Sequence, residues 1–196
     1  MKCDVLIAGV GGQGTILASK LIARSAIEDG LFVRSSETIG MAQRGGSVVS
    51  HVRVDCMDGS SVIPMHTADL LLAFEPAEAA RHLNRLKKDG KAVVNTQQVI
   101  PVTASLTGKS YDLEEICSYI RENTQAYFVD AYQIAQACGS IKTVNIVLIG
   151  AAIGVEAIPF SIERMETLLK KTLPDKILEM NLRALNAGYR ATAHMK

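Results

Sequence analysis

The feature that most constrains the fold is a short apolar run that leads directly into a glycine-rich turn. Residues Cys3 to Gly9 read CDVLIAG, a nearly continuous apolar segment typical of a strand covered on both faces. Gly9 to Gly14 then complete the pattern Gly-x-Gly-x-x-Gly, and an apolar stripe through Leu17 and Leu21 indicates a helix. This order of strand, glycine turn and helix predicts the start of a parallel α/β sheet.

The strand patterns that follow predict a mixed sheet. Further strands are expected at 31–35, 47–54, 69–74, 92–95 and 126–129. The strand at 31–35 would complete a βαβ opening with the first strand. Asp58-Gly59 is typical of a hairpin turn, so we expect Ser47 to Val54 to pair antiparallel with a strand at Ser61 to Ile63.

Helical patterns fill the spaces between the strands and dominate the C-terminal third. They are expected at 13–28, 75–88, 112–121, 131–138, 143–154, 161–171 and 175–189. Val144 to Val155 is the longest apolar stretch, but it is shorter than the roughly 20 residues that cross a bilayer, so we expect a buried helix. Gly150 and Gly154 lie four apart in it, as in a close helix-packing motif, but outside a membrane this spacing is weak evidence and we interpret them as ordinary core positions.

Together these patterns predict one domain, residues 1–196, with a three-layer Rossmann-like α/β/α fold. Its sheet is expected to be mixed but mostly parallel, and its C-terminal third helical. Charge argues against polyanionic partners: 21 Lys and Arg face 20 Asp and Glu, which leaves a net charge of +1 and no broad basic field for nucleic acid or an anionic membrane.

The cysteines and histidines predict no metal site. The four cysteines, Cys3, Cys56, Cys117 and Cys138, contain no Cys-x-x-Cys pair, so neither a zinc ribbon nor a ferredoxin-type cluster can form from neighbouring ligands. The histidines show no metal-binding spacing either. Reduced thiols and a cytoplasmic location are expected. Cys3 is interpreted as a core residue and His51 as an ordinary strand residue.

The glycine turn is the first candidate binding site. Its candidate residues are Gly9, Gly11, Gly12, Gln13 and Gly14. Glycines let a phosphate approach the backbone, and the free N–H groups at the start of the helix attract an anion. In the alternative interpretation, the glycines only allow the strand and helix to pack closely. Glu37 stands where a nicotinamide cofactor would need an acidic residue, and Arg34 where a 2′-phosphate would be met.

A second glycine-bearing segment, Glu37 to Gly46, supplies the other candidates. Arg44 precedes Gly45 and Gly46, and its guanidinium could bind a carboxylate or phosphate, or instead tie loop carbonyls together. No catalytic residue is predicted. The acidic pairs Glu75–Glu78 and Glu114–Glu115 are interpreted as solvated helix faces.

These motifs resemble those of a known family. The segments GVGGQG (9–14), Thr15 to Ala18, Ser36-Glu37 and MAQRGGSVV (41–49) with Ser50 to Arg53 are similar to the gamma subunits of 2-oxoacid:ferredoxin oxidoreductases. Within that family they are most similar to the beta subunits of indolepyruvate ferredoxin oxidoreductases. The specific match covers about residues 5–54, and the remainder agrees in length and general pattern.

The resemblance implies an accessory subunit of a larger enzyme. The family converts a 2-oxoacid, here an arylpyruvate, with coenzyme A and oxidised ferredoxin into an acyl-CoA, carbon dioxide and reduced ferredoxin. Thiamine diphosphate and iron–sulfur clusters would belong to a larger partner subunit, through which ferredoxin is reached, because this chain has neither a thiamine-diphosphate motif nor cluster spacing. This chain would complete the active-site wall or the coenzyme A channel, and alone it could form a homodimer. The family often carries a polar residue at the position of Ile39, so we assign no catalytic role to the 37–46 loop.

Two other classes of protein remain open at this point. One is a free-standing NAD(P)- or nucleotide-binding protein that uses the glycine turn by itself. The other is a non-enzymatic assembly subunit.

Overall fold

Six strands form one sheet in the computed structural model, which describes residues 2–39, 45–57, 59–100 and 111–195. The strands are β1 Cys3–Val10, β2 Val33–Ile39, β3 Ser47–Val54, β4 Ala68–Ala73, β5 Leu86–Asn95 and β6 Gln125–Val129. Their order across the sheet is β2-β3-β1-β4-β5-β6. β1, β4, β5 and β6 are parallel neighbours, while β3 runs antiparallel to both β1 and β2. The expected mixed, mostly parallel α/β sheet is confirmed.

Helices cover both faces of this sheet. They are α1 Thr15–Glu28, α2 Pro76–His82, α3 Leu113–Asn123, α4 Ala131–Ala137, α5 Val144–Gly154, α6 Ile162–Thr172 and α7 Asp175–Thr192. β1 explains the layering, because all eight of its residues are buried and alternate side chains point to opposite faces. Val5 and Ile7 pack in the larger apolar cluster under α1 and α4–α7, and Leu6 and Ala8 pack in the smaller one under α2 and α3.

The βαβ opening forms with one strand inserted. β1 and β2 run in the same direction, but β3 lies between them and pairs from Cys3↔Val54 to Val10↔Ser47. β3 takes the place beside β1 because it pairs along its whole length with β1 and from Val48 to Val54 with β2.

The hairpin predicted at Asp58-Gly59 is also wrong. Asp58 lies outside the described residues, and Ser61 to Ile63 do not form a strand. Both edges of β3 are already occupied by β1 and β2, so no edge remains for a further strand. Ile63 instead is buried beside β3, where its N–H donates to His51 Nδ1 at 3.2 Å.

The helix predicted at 75–88 is shorter, and the strand after it is longer. α2 ends at His82, one 3₁₀ turn follows, and β5 begins at Leu86 and runs through Asp89-Gly90. Gly90 is buried, and a Cβ there would lie 2.9 Å from the carbonyl oxygen of Ala68. The Asp-Gly pair therefore marks an irregularity within a strand, at the point where the β4–β5 register shifts, and no turn forms there.

α5 is a buried helix, as expected, but its glycines do more than fill core positions. A Cβ on Gly150 would lie 2.1 Å from the carbonyl oxygen of Leu185, and one on Gly188 would lie 2.0 Å from that of Val147. The backbones of α5 and α7 therefore meet directly, and the spacing of Gly150 and Gly154 does indicate close helix packing. No helix in the described residues is both long and apolar enough to cross a membrane.

Candidate anion-binding site at the carboxyl edge of the sheet

The sheet has a topological switch point between β1 and β4. The chain leaves β1 through α1 toward β2 on one side, and leaves β4 through α2 toward β5 on the other. The two helices lie on opposite faces of the sheet. Open α/β sheets bind ligands in the crevice that such a reversal creates at the carboxyl ends of the strands. The glycine turn follows β1 at this crevice, and the first turn of α2 follows β4.

Two glycines of the turn have backbone conformations that favour glycine. Gly12 has φ of +101° and Gly14 has φ of +88°. Gly14 is the N-cap of α1, which has no side-chain cap and no acidic residue in its first turn. Among the described residues, no acceptor binds the N–H groups of Thr15, Ile16 and Leu17. The positive end of the α1 dipole is therefore available to an anion.

Other residues of the motif hold the turn in place. A Cβ on Gly9 would lie 2.9 Å from Phe74 Cβ, so this glycine allows close packing. Gln13 folds back over the turn: its Oε1 accepts from the N–H of Val10 at 2.7 Å, and its Nε2 donates to the carbonyl of Phe74 at 3.2 Å. Binding and packing are thus divided among the glycines of one motif.

The second predicted segment meets the first. The N–H of Gly11 donates to the carbonyl of Gly46 at 2.8 Å, and the N–H of Gly45 donates to the carbonyl of Gly11 at 3.5 Å. Arg44 lies outside the described residues. The two motifs, far apart in sequence, therefore form adjoining parts of one edge, because β3 pairs with β1 up to Ser47 and Val10.

The residues expected to recognise a nicotinamide cofactor are placed differently. Glu37 lies on β2, where its Oε1 accepts from Ser19 Oγ of α1 at 3.3 Å. Arg34 lies near the amino end of β2, away from the carboxyl ends of the strands. Its guanidinium is 5.1 Å from the centre of the Phe32 ring. Glu37 and Arg34 thus form no joint ribose and 2′-phosphate site.

Two clefts adjoin the glycine turn and share Gly12, Gly14 and Leu17. The smaller, of about 610 Å³, lies beside the start of α1 and includes Lys20 and Val48 in its wall. The larger, of about 790 Å³, extends toward the start of α5. Its wall is completed by Gln13, Asn95, Gln97, Gln98, Val99, Tyr132, Ile141, Lys142, Val144 and Asn145. Each cleft has one lysine in its wall, Lys20 or Lys142, and the described residues that line either cleft include no carboxylate.

Sequence reasoning missed Lys142 and Asn145. Asn145 is only 3% exposed, and its Nδ2 lies 3.4 Å from where a Cβ of Gly14 would be. It lies in the first turn of α5, and its side chain packs beside Gly14, the N-cap of α1. The available signal was one polar amide at the start of the otherwise apolar segment Val144 to Val155.

A buried asparagine fixes the floor of the larger cleft. Asn95, the last residue of β5, donates from Nδ2 to the carbonyl of Phe74 at 3.0 Å and accepts at Oδ1 from the N–H of Ala131 at 3.1 Å. Phe74 thus accepts hydrogen bonds from both Gln13 and Asn95. These amides join the ends of β4 and β5 to the glycine turn and to α4, which makes this edge rigid.

The interpretation of Glu75 and Glu78 as a solvated face was wrong. They are 1% and 2% exposed. Glu75 is the N-cap of α2, and its Oε2 accepts from the N–H of Glu78 at 2.9 Å. Its Oε1 accepts from the N–H of Val99 at 3.4 Å and from the hydroxyl of Tyr111. Burial, together with this carboxylate, raises the pKa of Tyr111, so the hydroxyl stays protonated.

Glu78 binds the segment that carries the second glycine pair. Its Oε2 accepts from Ser47 Oγ at 2.5 Å, and its Oε1 accepts from Arg81. Helical periodicity could not reveal this burial, because α2 is short and the partners of the two carboxylates, Val99, Tyr111 and Ser47, come from distant parts of the sequence. Glu114 and Glu115, by contrast, are exposed as expected.

The remaining candidates are packing residues. His51 is buried in β3, and burial, with the nearby Arg85, lowers its pKa to about 4, so it is neutral at pH 7. Cys3 is a core residue as expected, and burial raises its thiol pKa to about 12. The four cysteines are free and lie in different parts of the fold, and the described residues contain no group of three or more His, Cys, Asp or Glu that could hold a metal ion. The four cysteines are too dispersed to ligate an iron–sulfur cluster.

Comparison with known proteins places this geometry in a family. Residues 4–191 match the model of the pyruvate ferredoxin/flavodoxin oxidoreductase family, and the chain belongs to that family. It is 42% identical to indolepyruvate oxidoreductase subunit IorB of Archaeoglobus fulgidus, over 96% of this chain and 94% of that protein. The IorB subunit of Pyrococcus horikoshii is 36% identical, over 98% and 96% of the two chains.

Solved structures share the fold. The gamma subunit of a keto/oxoacid ferredoxin oxidoreductase from Geobacter sulfurreducens is 25% identical, with a TM-score of 0.70 and 99% of each chain covered. A 2-oxoglutarate:ferredoxin oxidoreductase from Magnetococcus marinus, with 2-oxoglutarate, coenzyme A and succinyl-CoA bound, is 22% identical, with a TM-score of 0.74. All of this chain aligns with 31% of that longer chain. The same fold therefore occurs both as a separate subunit and within a larger polypeptide.

Proposed function

We propose that this chain is the accessory, gamma-type subunit of a 2-oxoacid:ferredoxin oxidoreductase that acts on indolepyruvate or a related arylpyruvate. The complete enzyme would oxidatively decarboxylate the 2-oxoacid, transfer the acyl group to coenzyme A, release carbon dioxide and reduce ferredoxin. The observation that carries the proposal is the 42% identity to an indolepyruvate oxidoreductase subunit over nearly the whole of both chains.

The reactive cofactors would belong to a larger partner subunit. Thiamine diphosphate supplies the decarboxylation chemistry in such enzymes, and iron–sulfur clusters carry the electrons. The dispersed cysteines of this chain support that division, because Cys3 lies in β1, Cys117 in α3 and Cys138 after α4. This chain would act only in the complex, which ferredoxin approaches through the partner.

The part played by this chain is to bind and orient the anionic end of coenzyme A. The glycine turn, Gly9 to Gly14, would present backbone N–H groups at the start of α1. Gly45 and Gly46, which adjoin Gly11, would border the same site, with Arg44 as a charged clamp and Glu37 supporting β2 against α1. Fixed N–H dipoles attract a phosphate without rearrangement, so they place the thiol end reproducibly toward the partner.

The same proposal covers the organisation and location of the chain. Residues 1–196 would act as one domain in the cytoplasm, where the four free thiols stay reduced. In isolation the face that meets the partner would be exposed, and a homodimer could cover it.

Co-purification tests the proposal most simply. The chain is tagged and expressed in the cells that encode it, and the proteins that come down with it are identified by mass spectrometry and assayed for thiamine diphosphate and iron. We expect one larger subunit that carries both. Recovery of the chain with no such subunit, under conditions that preserve other complexes of those cells, would contradict the proposal.

A further inference from the structure

We infer that Glu78 of α2 is a positioning residue for the ligand-binding edge of the sheet. It acts through Ser47, which holds Gly45 and Gly46 in contact with Gly11 of the glycine turn. That these glycines border a coenzyme A site rests on the proposed function, whereas their positioning by Glu78 is a property of this chain.

The first support is the nature of the contact between the glycines. β1 and β3 pair up to Val10↔Ser47. Beyond this rung, the N–H of Gly11 donates to the carbonyl of Gly46 at 2.8 Å, and the N–H of Gly45 donates to the carbonyl of Gly11 at 3.5 Å. The end of a strand pair opens more readily than its middle. Glycines have no side chains to pack, so a contact from a neighbouring residue is needed to keep this end closed.

The second support is the hydrogen bond that Ser47 makes. Its hydroxyl donates from the first residue of β3 to Glu78 Oε2 in α2, at 2.5 Å. Ser47 directly follows Gly46 in the chain, so the contact of Glu78 with Ser47 is passed on to Gly11 with no other residue between. α2 and α1 cover opposite faces of the sheet. Glu78 thus connects the helix on one face to the turn that starts the helix on the other.

The third support is the way the carboxylate itself is held. Glu78 is only 2% exposed; its Oε1 accepts from Arg81, and His82 Nε2 lies 3.8 Å from its Oε2. Its N–H donates to Glu75 Oε2 at 2.9 Å. An acidic residue in the first turn stabilises a helix even when it is exposed, whereas burying a charge is costly unless its partners are fixed. The bond to Ser47 therefore explains the burial of Glu78 better than stabilisation of α2 alone.

Amide hydrogen exchange tests the positioning in the isolated, ¹⁵N-labelled chain. Ser47→Ala removes the hydroxyl, and we expect the N–H of Gly11 to exchange about tenfold faster, because a hydrogen bond to a charged group is lost. Ser47→Thr keeps the hydroxyl and should keep the slower exchange. Glu78→Gln should speed the exchange when Ser47 is present and have no further effect in Ser47→Ala, because both residues act through one bond.

Ser161→Ala is the matched control for the loss of a serine hydroxyl. Ser161 Oγ accepts from the N–H of Arg164 at 3.2 Å at the start of α6, and its removal should not change the exchange of Gly11. Ser47 is exposed, so its variants test the inference even if Glu78→Gln folds poorly. Unchanged exchange in Ser47→Ala, equally fast exchange in Ser47→Thr, or the same acceleration in Ser161→Ala would overturn the inference.

The reconstituted enzyme tests whether the positioning matters for binding. Ser47→Ala should raise the KM for coenzyme A about tenfold, while kcat and the KM for the 2-oxoacid change little, because a displaced wall weakens binding without touching the reacting atoms. A general loss of folding would instead reduce the amount of active enzyme and so lower the apparent kcat. An unchanged KM for coenzyme A in an active complex would overturn the inference.

Failure of the inference and failure of the proposed function give different results. An active complex in which Ser47→Ala alters neither the exchange of Gly11 nor the KM for coenzyme A overturns the inference alone. Faster exchange of Gly11 in Ser47→Ala, in a chain that no larger subunit requires for activity, overturns the proposed function alone.

Discussion

Different interactions hold the helices to the two faces of the sheet. On one face, α1 and α4–α7 cover a large apolar cluster, and α5 and α7 meet through glycines with no space for a Cβ. On the other, under α2 and α3, the smaller apolar cluster is joined by buried polar groups, among them His51, Glu78 and the Asp4–Arg53 ion pair at 2.9 Å. The first face should respond to changes of volume, and the second to changes of charge and hydrogen bonding.

The largest expected effect tests the volume-dependent face. In Gly150→Ala the new Cβ would lie 2.1 Å from the carbonyl oxygen of Leu185, so α5 and α7 must separate. We expect the free energy of unfolding to fall by about 3 kcal/mol or more, because the obstructing atom belongs to the backbone and cannot rotate away. Urea denaturation at pH 7 measures this change. A variant as stable as wild type would show that the helices can part freely.

The next effect tests the charge-dependent face through pH. His51 has a folded pKa of about 4, below its ordinary value near 6.5, so the unfolded state binds the proton more readily. Stability should therefore be unaffected above pH 6.5 and fall as the pH drops toward 4, by at most about 3 kcal/mol from this residue. The lowered pKa of His82 acts in the same direction. Urea denaturation at several pH values measures how the free energy of unfolding changes with pH.

His51→Asn is the matched control for this pH dependence of stability. The amide oxygen of asparagine can accept from the N–H of Ile63 as His51 does, but it does not titrate. We expect the variant to lose less stability than wild type between pH 6.5 and 4. Parallel pH profiles for the two proteins would show that His51 is not the cause.

A smaller effect isolates one hydrogen bond of the same face. Tyr111→Phe removes the hydroxyl that donates to the buried carboxylate of Glu75, which keeps its bonds from the N–H groups of Glu78 and Val99. We expect a loss of about 2 kcal/mol, typical of a bond to a charged group. Thermal unfolding measures it, with the half-exposed Tyr119→Phe as the control. Equal losses in both variants would contradict the assigned role of Tyr111.

The smallest expected effect on stability lies at the edge between the two faces. A Cβ on Gly12 would meet no atom within 4 Å, so Gly12→Ala should cost only about 1 kcal/mol, for the positive φ. The same methyl group would enter the cleft, so the KM for coenzyme A of the reconstituted enzyme should rise while kcat changes little.

Gly30→Ala is the matched control, because Gly30 has a similar φ of +76° and equally open surroundings at the far end of α1. It should cost the same stability and leave the KM unchanged. If both variants raise the KM alike, the effect comes from the backbone and not from the cleft.

The sequence predicted the bounds of individual strands and helices better than it predicted which of them lie side by side. β3 has the predicted bounds, Ser47 to Val54. α3 and α6 begin within one residue of their predicted starts, because Asp112 and Ser161 cap them. The place of β2 could not be predicted, because strand order depends on which edges β3 occupies. The start of β5 was predicted too late, at 92, because the sequence does not reveal that Gly90 lies against Ala68.

The same limit applies to the site. The glycine turn was predicted because its pattern is contiguous and tied to a strand and a helix. Lys142 and Asn145 were missed because they reach the turn only through the packing of α5 against α1. The burial of Glu75 and Glu78 was missed because their partners, Val99, Tyr111 and Ser47, lie at least 20 residues away along the chain.

Reconstitution of activity tests the central claim most directly. Indolepyruvate- and coenzyme A-dependent reduction of a viologen dye is measured for this chain alone, for the larger subunit alone and for their mixture. We predict no turnover by this chain, little by the larger subunit and full activity when the two are combined. Turnover by this chain alone, or a larger subunit that works equally well without it, would contradict the account.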